Sequence, residues 1–405
     1  MTRTTAVRFL DRDTPPHILT LILIAGLSAM TMNVFLPSLP AMAIYFETDY
    51  AIVQMSVAIY LGVNAVLQLF IGPISDNLGR RPVLLAGIVI FMLATLGCVL
   101  ATNVWVFLAF RMAQAAIVVG MVLSRAIARD VSGTTGSASM IAYVTMGMAV
   151  VPMIAPAIGG FLDGLFGWQA NFWMLFGLGA VTFVICWFDQ GETNRASGQS
   201  LKAQFADLPE LIRSPRFWAY ALATAFCSGA FFAYLGGAPF VGTDVFGMSP
   251  ERLGIFFGAP AVGYFLGNGF SGRHAARYGV NLMVLWGTLI STFGVAVSVA
   301  LYVAGLGNEW TFFGFMTFVG LGNGLTIPNA TAGLLSVRPH LAGTASGMGG
   351  AIMVGGGAAL SAMAGALVGP GTGPLPLLAL MLATSVLGIL AILFVYWRER
   401  QLRVA

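Results

Sequence analysis

Charged residues along this chain are sparse, and the stretches between them are long and apolar. Uncharged runs cover 14–46, 50–75, 82–110, 131–162, 164–188, 217–243, 253–272, 278–308 and 310–337, and a last one covers 339–397. An α-helix needs roughly 20 apolar residues to cross a hydrocarbon core, so each run can supply a crossing. A further apolar stretch, Trp105 to Ser124, carries Arg111 and reads as a span with an embedded charge. The run 339–397 is long enough for two helices, and Gly369-Pro370-Gly371-Thr372-Gly373-Pro374 supplies the turn between them. The pattern predicts twelve spans, near 17–37, 51–72, 82–101, 104–124, 139–162, 171–188, 217–239, 252–272, 280–303, 311–334, 342–367 and 375–396.

Composition agrees. Of 405 residues, 58% are hydrophobic and 8% charged, against about 25% charged in an average soluble domain. So few charges cannot cover a water-facing surface, which excludes a soluble enzyme, a disordered chain and a nucleic-acid binder. The expected class is an all-α polytopic membrane protein embedded in the lipid bilayer. Cys98, Cys186 and Cys227 lie inside apolar runs, with no disulfide framework and no metal-binding spacing. No HExxH or GxSxG pattern suggests an enzyme, and no cofactor or metal is expected.

Sidedness follows from the basic residues. With both termini cytoplasmic, every one of the 19 Lys and Arg residues faces inward except Arg111, within a span, and Arg252, at an outer end. Outer loops instead hold Glu47, Asp49, Asp163, Asp244, Glu251 and Glu309. This is the positive-inside bias. A cleaved signal peptide would end its apolar run at a small-residue site, whereas the first run continues through Asn33 to Pro40.

The longest polar stretch, 189–216, divides the spans into two sets of six: residues 1–188, a cytoplasmic linker 189–216, and residues 217–405. A weak repeat relates the halves. Gly72-x6-Gly79 follows the second span and Gly272-x6-Gly279 the eighth, although Asp76 in the first copy faces Ala276 in the second. Two parallel six-helix halves around a midplane site are a plan used by secondary transporters.

Three stretches carry chemistry. In Gly72-Pro73-Ile74-Ser75-Asp76-Asn77-Leu78-Gly79-Arg80-Arg81, glycines permit a tight turn while Asp and Arg can form charge-assisted bonds near helix ends. Asp130 is a candidate partner for Arg80 or Arg81; the alternative for these charges is topology alone. Arg111 costs roughly 2.5–3.5 kcal/mol at a helix centre on insertion scales, so it should face the bundle interior; the alternative is an Arg bonded to carbonyls and snorkelling outward. Pro152, Pro156, Gly159 and Gly160 combine kink-forming and close-packing residues in the fifth span.

The Gly72–Arg81 stretch resembles the loop signature of the major facilitator superfamily, which implies the major facilitator fold and an inner gate formed by Gly72, Asp76, Gly79, Arg80, Arg81 and Asp130. Arg111-x-x-Gln114 with Gly120 resembles the fourth-span motif of proton-linked facilitators, and Pro152 to Gly160 the antiporter motif of drug exporters. Asn33-Val34-Phe35-Leu36-Pro37, Ser124-Arg125-Ala126-Ile127-Ala128-Arg129-Asp130, Phe231-Phe232-Ala233-Tyr234 and Pro328-Asn329-Ala330-Thr331 look like the Bcr/CflA group of drug-resistance transporters. That resemblance implies a bacterial inner-membrane exporter of small-molecule drugs, coupled to protons by antiport and acting as a monomer. Fold alone leaves open a metabolite importer or facilitator.

One departure matters. Asn33 stands where the group commonly has an acid, and Asn cannot carry a proton. No Asp or Glu lies mid-span; Asp163 and then Asp130 come nearest. With Arg111 as the only deep charge, the cavity is expected to favour neutral or anionic compounds, amphenicol-like or bicyclic antibiotics among them. Its candidate lining groups are Asn33, Tyr60, Asn64, Gln68, Arg111, Gln114, Phe231, Phe232, Tyr234, Tyr264, Asn268 and Asn323, with Met30, Met32, Met146 and Met148 adding soft apolar surface.

Overall fold

The computed structural model describes residues 7–193, 208–338 and 342–404. Half of the linker, including Arg195 and Lys202, lies outside the described residues, as do Arg3 and His340. So do the side chains of Arg129, Met146, Met148 and Pro152. All regular structure among the described residues is helical.

In chain order the helices are α1 (Ile18–Asn33), α2 (Leu39–Tyr45), α3 (Tyr50–Leu78), α4 (Arg80–Leu100), α5 (Val104–Gln114), α6 (Val118–Phe166), α7 (Gln169–Asp189) and α8 (Leu208–Ile212). There follow α9 (Pro215–Phe240), α10 (Pro250–Phe257), α11 (Ala259–Tyr278), α12 (Val280–Val303), α13 (Glu309–Phe313), α14 (Met316–Val337), α15 (Ala342–Leu367) and α16 (Leu375–Val404). Polar residues at the breaks start them: His17, Asn103, Ser214 and Ser249 each accept a hydrogen bond from a first-turn amide, and Asn308 forms a reciprocal capping box with Thr311. Among the described residues, ten helical segments are long and apolar enough to cross a membrane.

Two predicted spans fall outside those ten. α14 has 22 residues, but Asn323, Thr326, Asn329, Thr331 and several glycines dilute its apolar content. The other lies in α6, where the expected break at 125–138 is helical; no proline occurs between Val118 and Val151 to remove a backbone donor. A straight helix of 49 residues would run about 74 Å at 1.5 Å per residue, far more than one crossing. Its limbs instead run in opposite directions along α1. Ser28 donates to the Ile117 carbonyl and Gly120 abuts Ile24, whereas Val151 meets Gly26 and Gly159 abuts Val34. The chain therefore turns back between residues 120 and 151.

The short repeat marks equivalent corners of the two halves. Gly79 (φ 97°) joins α3 to α4, and Gly279 (φ 81°) joins α11 to α12. Both take a backbone conformation that glycine adopts without strain. We call this the basic end, after Arg80, Arg81, Arg273 and Arg277.

At the opposite end the halves are pressed together. Tyr50 Oη donates to the Gly236 carbonyl (2.8 Å), and Gln54 Nε2 to the carbonyl (2.7 Å) and hydroxyl (2.9 Å) of Ser361. The second limb of α6 packs on α10 through glycines: a Cβ at Gly160 would lie 2.1 Å from the Pro250 carbonyl oxygen, and one at Gly254 2.4 Å from that of Pro156. Towards the basic end, a Cβ at Gly72, Gly269, Gly272 or Gly347 would meet nothing within 4 Å.

Candidate functional site

Between the halves lies a cavity of about 250 Å³. The first half contributes Ala29, Met32 and Asn33 from α1 and Met121, Arg125 and Pro156 from α6. The second contributes Ser228, Phe231, Phe232 and Leu235 from α9, Phe257 from α10, Pro260, Ala261 and Tyr264 from α11, Gly320, Asn323 and Ile327 from α14, and Met353 from α15. The wall is mostly apolar, with four aromatic rings and three methionines among its residues and a few polar groups. Such a site grips apolar ligands loosely and orients them by few polar contacts.

Two of the polar groups are positioned by their own helices. Asn33 donates Nδ2 to the Ala29 carbonyl (2.7 Å), and Ser228 donates its hydroxyl to the Thr224 carbonyl (2.7 Å). Arg125, one turn beyond Met121 on α6, is exposed to the cavity. Tyr234 is fully buried behind the lining: its ring centroid lies 4.6 Å from that of Phe257 and 6.4 Å from that of Phe231. It braces two residues that face the cavity.

Arg111 lies elsewhere, sealed in the interior of the first half at 1% exposure. Nη2 donates to the Thr31 carbonyl (3.0 Å) and Nη1 to Gln114 Oε1, while Gln114 Nε2 donates to Thr95 Oγ1 (2.8 Å). The guanidinium carbon sits 4.0 Å from the Tyr60 ring centroid and 4.4 Å from that of Phe35. Carbonyl dipoles and ring faces solvate the cation in place of a carboxylate, each desolvated ring being worth about 2 kcal/mol. Asn64 accepts from Gln68 on the next turn of α3, and Asn268 donates to the Tyr264 carbonyl one turn back (2.9 Å).

At the basic end Arg80 is the centre of a charge cluster. Its Nη1 pairs with Asp76 Oδ1 (2.6 Å) and donates to Ser75 Oγ, and its Nε reaches Asp130 Oδ2 (3.1 Å). Gly79 makes the turn, and Gly72 lies about two turns earlier within α3. A Cβ at Gly79 would lie 2.4 Å from Glu192 Oε2. Glu192 caps α4, accepting from the Arg80 amide on Oε1 (2.9 Å) and the Arg81 amide on Oε2 (3.2 Å). Arg81 itself donates to the Trp187 carbonyl (3.1 Å) and lies over the Trp187 ring. Nearby, the buried Asp189 carboxylate accepts from Leu10 N (2.8 Å), His17 N (2.9 Å) and Thr20 Oγ1 (2.7 Å), tying down the start of α1.

Among the residues singled out from the sequence, Asn33, Phe231, Phe232, Tyr264, Asn323, Met32 and Pro156 come together around the cavity. Tyr60, Arg111 and Gln114 form the separate interior cluster. Gly159 packs on the Val34 carbonyl within the first half, and Gly160 on Pro250 across the seam. Sequence reasoning missed Arg125 as a lining residue and Ser228, Phe257, Met121 and Met353 altogether. It also missed Glu192 and Asp189 as caps, since each meets partners more than 100 residues away.

A helical chain with long apolar spans, closed at one end around an amphipathic cavity, has the build of a polytopic membrane transporter. The chain belongs to the Major Facilitator Superfamily, whose profile matches residues 21–362. It is 30% identical over 382 residues to multidrug resistance protein D of Escherichia coli (strain K12), covering 93% of this chain and 94% of that protein. It is 29% identical over 324 residues to a chloramphenicol resistance protein of Pseudomonas aeruginosa, covering 78% and 76%. A bicyclomycin resistance protein homolog of Haemophilus influenzae is 25% identical over 362 residues, covering 88% and 90%. The chain is a drug-resistance transporter of the Bcr/CflA type. The fold also matches the crystal structure of a bacterial homolog to the human lysosomal transporter Spinster, in an inward-facing and occupied conformation. That match has a TM-score of 0.71 at 18% identity and covers 95% of this chain and 96% of that one.

Proposed function

We propose that this chain exports neutral or anionic small-molecule drugs across a bacterial inner membrane by alternating access. The cavity between the halves carries the reading: it is mostly apolar, of ligand size, and among the described residues its lining holds one basic and no acidic side chain. Arg125 disfavours cations there, so the charge preference rests on Arg125 rather than on the enclosed Arg111. In this reading the basic end is cytoplasmic, by the positive-inside bias. The ten apolar segments, α14 and the second limb of α6 then make twelve spans with both termini inside. The seam closed by Tyr50, Gln54 and Gly160 is the outer gate, and Asp76, Arg80, Arg81 and Asp130 form the inner latch.

Proton antiport is part of the proposal, and Asp163 is the group through which it acts. Asp130 is engaged by Arg80, whereas Asp163, near the seam, has its Oδ2 buried without a hydrogen-bond partner among the described residues. The test is uptake of labelled chloramphenicol into proteoliposomes with and without an imposed pH gradient. Gradient-driven accumulation that Asp163→Asn abolishes is the expected result; transport indifferent to the gradient would overturn antiport. Restored or altered coupling in Asn33→Asp would show whether a carboxylate at the cavity can substitute. Strong export of tetraphenylphosphonium with no neutral compound moved would overturn the charge preference.

A further inference from the structure

The closed seam brings together two carboxylates, one from each half. Asp163, on the second limb of α6, is 8% exposed, and its Oδ2 is buried without a hydrogen-bond partner among the described residues. Glu251 of α10 lies against the next residue: a Cβ at Gly164 would stand 1.6 Å from Glu251 Oε1. The glycine lets that carboxylate rest on the α6 backbone, where it acts on the Asp163 charge across the seam.

The surroundings do nothing to balance the pair. Of the elements packed on α6, α1, the turns at 36–38 and 115–117 and the near half of α7 carry no charged residue, while α3, α4 and α11 carry theirs at the basic end. α10 carries one cation, Arg252, and its guanidinium is engaged by Glu309 Oε1 (2.5 Å). Asn171 adds a further acceptor. Its Nδ2 donates to the Gly159 carbonyl (3.2 Å), one turn before Asp163, and to Ser38 Oγ (3.1 Å), which itself bonds the Asp163 carboxyl. Asn171 Oδ1 is left buried in the same corner, unpartnered among the described residues. An ionised Asp163 would face a like charge and an unserved acceptor in a site closed to water, and that is costly. A proton on Oδ2 removes the repulsion and turns the oxygen into a donor.

We infer that Asp163 and Glu251 form a proton-operated latch: the outer seam closes on a protonated Asp163, and ionisation of Asp163 against the Glu251 carboxylate pushes it open. The inference rests on the reading of Asp163 as the proton-carrying group and of this seam as the outer gate. A proton taken up from outside favours the inward-facing form and its loss the outward-facing one, the order that exchange of a drug for a proton requires. Closure that binds a proton is favoured by acid, so the open-to-closed ratio rises with pH through the Asp163 titration.

The test is pulsed dipolar spectroscopy on the full chain in lipid nanodiscs, with spin labels at Ile44→Cys and Leu306→Cys, exposed positions in opposite halves at this end. With both native carboxylates the open-to-closed ratio should rise about 10-fold or more between about pH 5 and about pH 8. Asp163→Asn should hold the seam closed and abolish the response, since an amide keeps a donor at every pH. Glu251→Gln should cut the response to less than about threefold, because the like charge is gone while Asp163 still titrates. A separation that ignores pH with both carboxylates present would overturn the inference, as would a full response surviving in Asp163→Asn or in Glu251→Gln. A pH-insensitive seam with gradient-driven drug uptake removes the latch and leaves antiport. A seam that responds through both carboxylates, with uptake indifferent to the gradient, removes antiport and leaves a pH-gated transporter.

Discussion

Gly159 and Gly160 are neighbours in sequence, yet adding one methyl group to each should have different consequences. A Cβ at Gly160 would stand 2.1 Å from the Pro250 carbonyl oxygen and 2.9 Å from its carbon. An ordinary carbon–oxygen contact needs about 3.3 Å or more, so α6 and α10 must separate by roughly 1 Å to accommodate Gly160→Ala. Overpacking of this kind costs about 1–3 kcal/mol. Because Pro250 belongs to the other half, the cost falls only on the conformation in which this seam is closed. The ratio of open to closed seam should therefore rise about 5- to 150-fold. A Cβ at Gly159 would stand 1.6 Å from the Val34 carbonyl oxygen, within the same half. That clash persists whichever way the halves rock, so Gly159→Ala should lower thermal stability without moving the equilibrium. Spin labels at Phe166→Cys and Leu306→Cys, one per half at this end, would read the separation by pulsed dipolar spectroscopy. The native Cys98, Cys186 and Cys227 are buried and should not compete for label. An unchanged distance distribution in Gly160→Ala, or an equal shift in Gly159→Ala, would refute the assignment of these two contacts.

Arg111→Met leaves Gln114 Oε1 without its donor and removes a cation from two ring faces, and should cost about 2–4 kcal/mol in thermal or denaturant unfolding. Arg111→Lys should recover less than half of that, since an ammonium cannot reproduce the guanidinium fork; full recovery would show that charge alone matters. Arg125→Glu should extend resistance to lipophilic cations such as tetraphenylphosphonium while weakening it to anionic compounds, measured as growth inhibition in an efflux-deficient host. Glu192→Ala uncaps the first turn of α4 and should lower stability by about 1 kcal/mol. An unchanged melting temperature would mean that water caps those amides equally well.

The helical architecture was legible because each span must hide its backbone from lipid using its own hydrogen bonds. That requirement writes itself into contiguous apolar runs. The corner glycines were legible for a similar reason: Gly79 and Gly279 answer to local backbone geometry. The Arg80–Asp130 pair was within reach because charges near one membrane face have few partners to choose from. The cavity lining was only partly legible. Asn33, Phe231 and Asn323 are intramembrane groups with a reason to seek a polar or aromatic environment. For Ser228, Phe257 and Met353, an apolar span offers many equivalent positions, and nothing local says which one faces the other half.

Arg111 and Arg125 draw the line between the two sources of information. From the sequence, Arg111 is the deep charge and Arg125 one of many basic residues at a helix end, because depth follows from position within a run. The tertiary structure sets them in different surroundings: helix packing wraps Arg111 in Tyr60, Phe35 and Gln114, and places Arg125 in the cavity wall. By itself the sequence determined a helical, membrane-spanning chain, set by hydropathy along one dimension, and its charges set the expectation of sidedness and of two halves. Only the packed structure decided which polar groups are satisfied by neighbours and which face an empty space, because that depends on the rotation of each helix about its own axis, and lipid-facing and cavity-facing surfaces are both apolar.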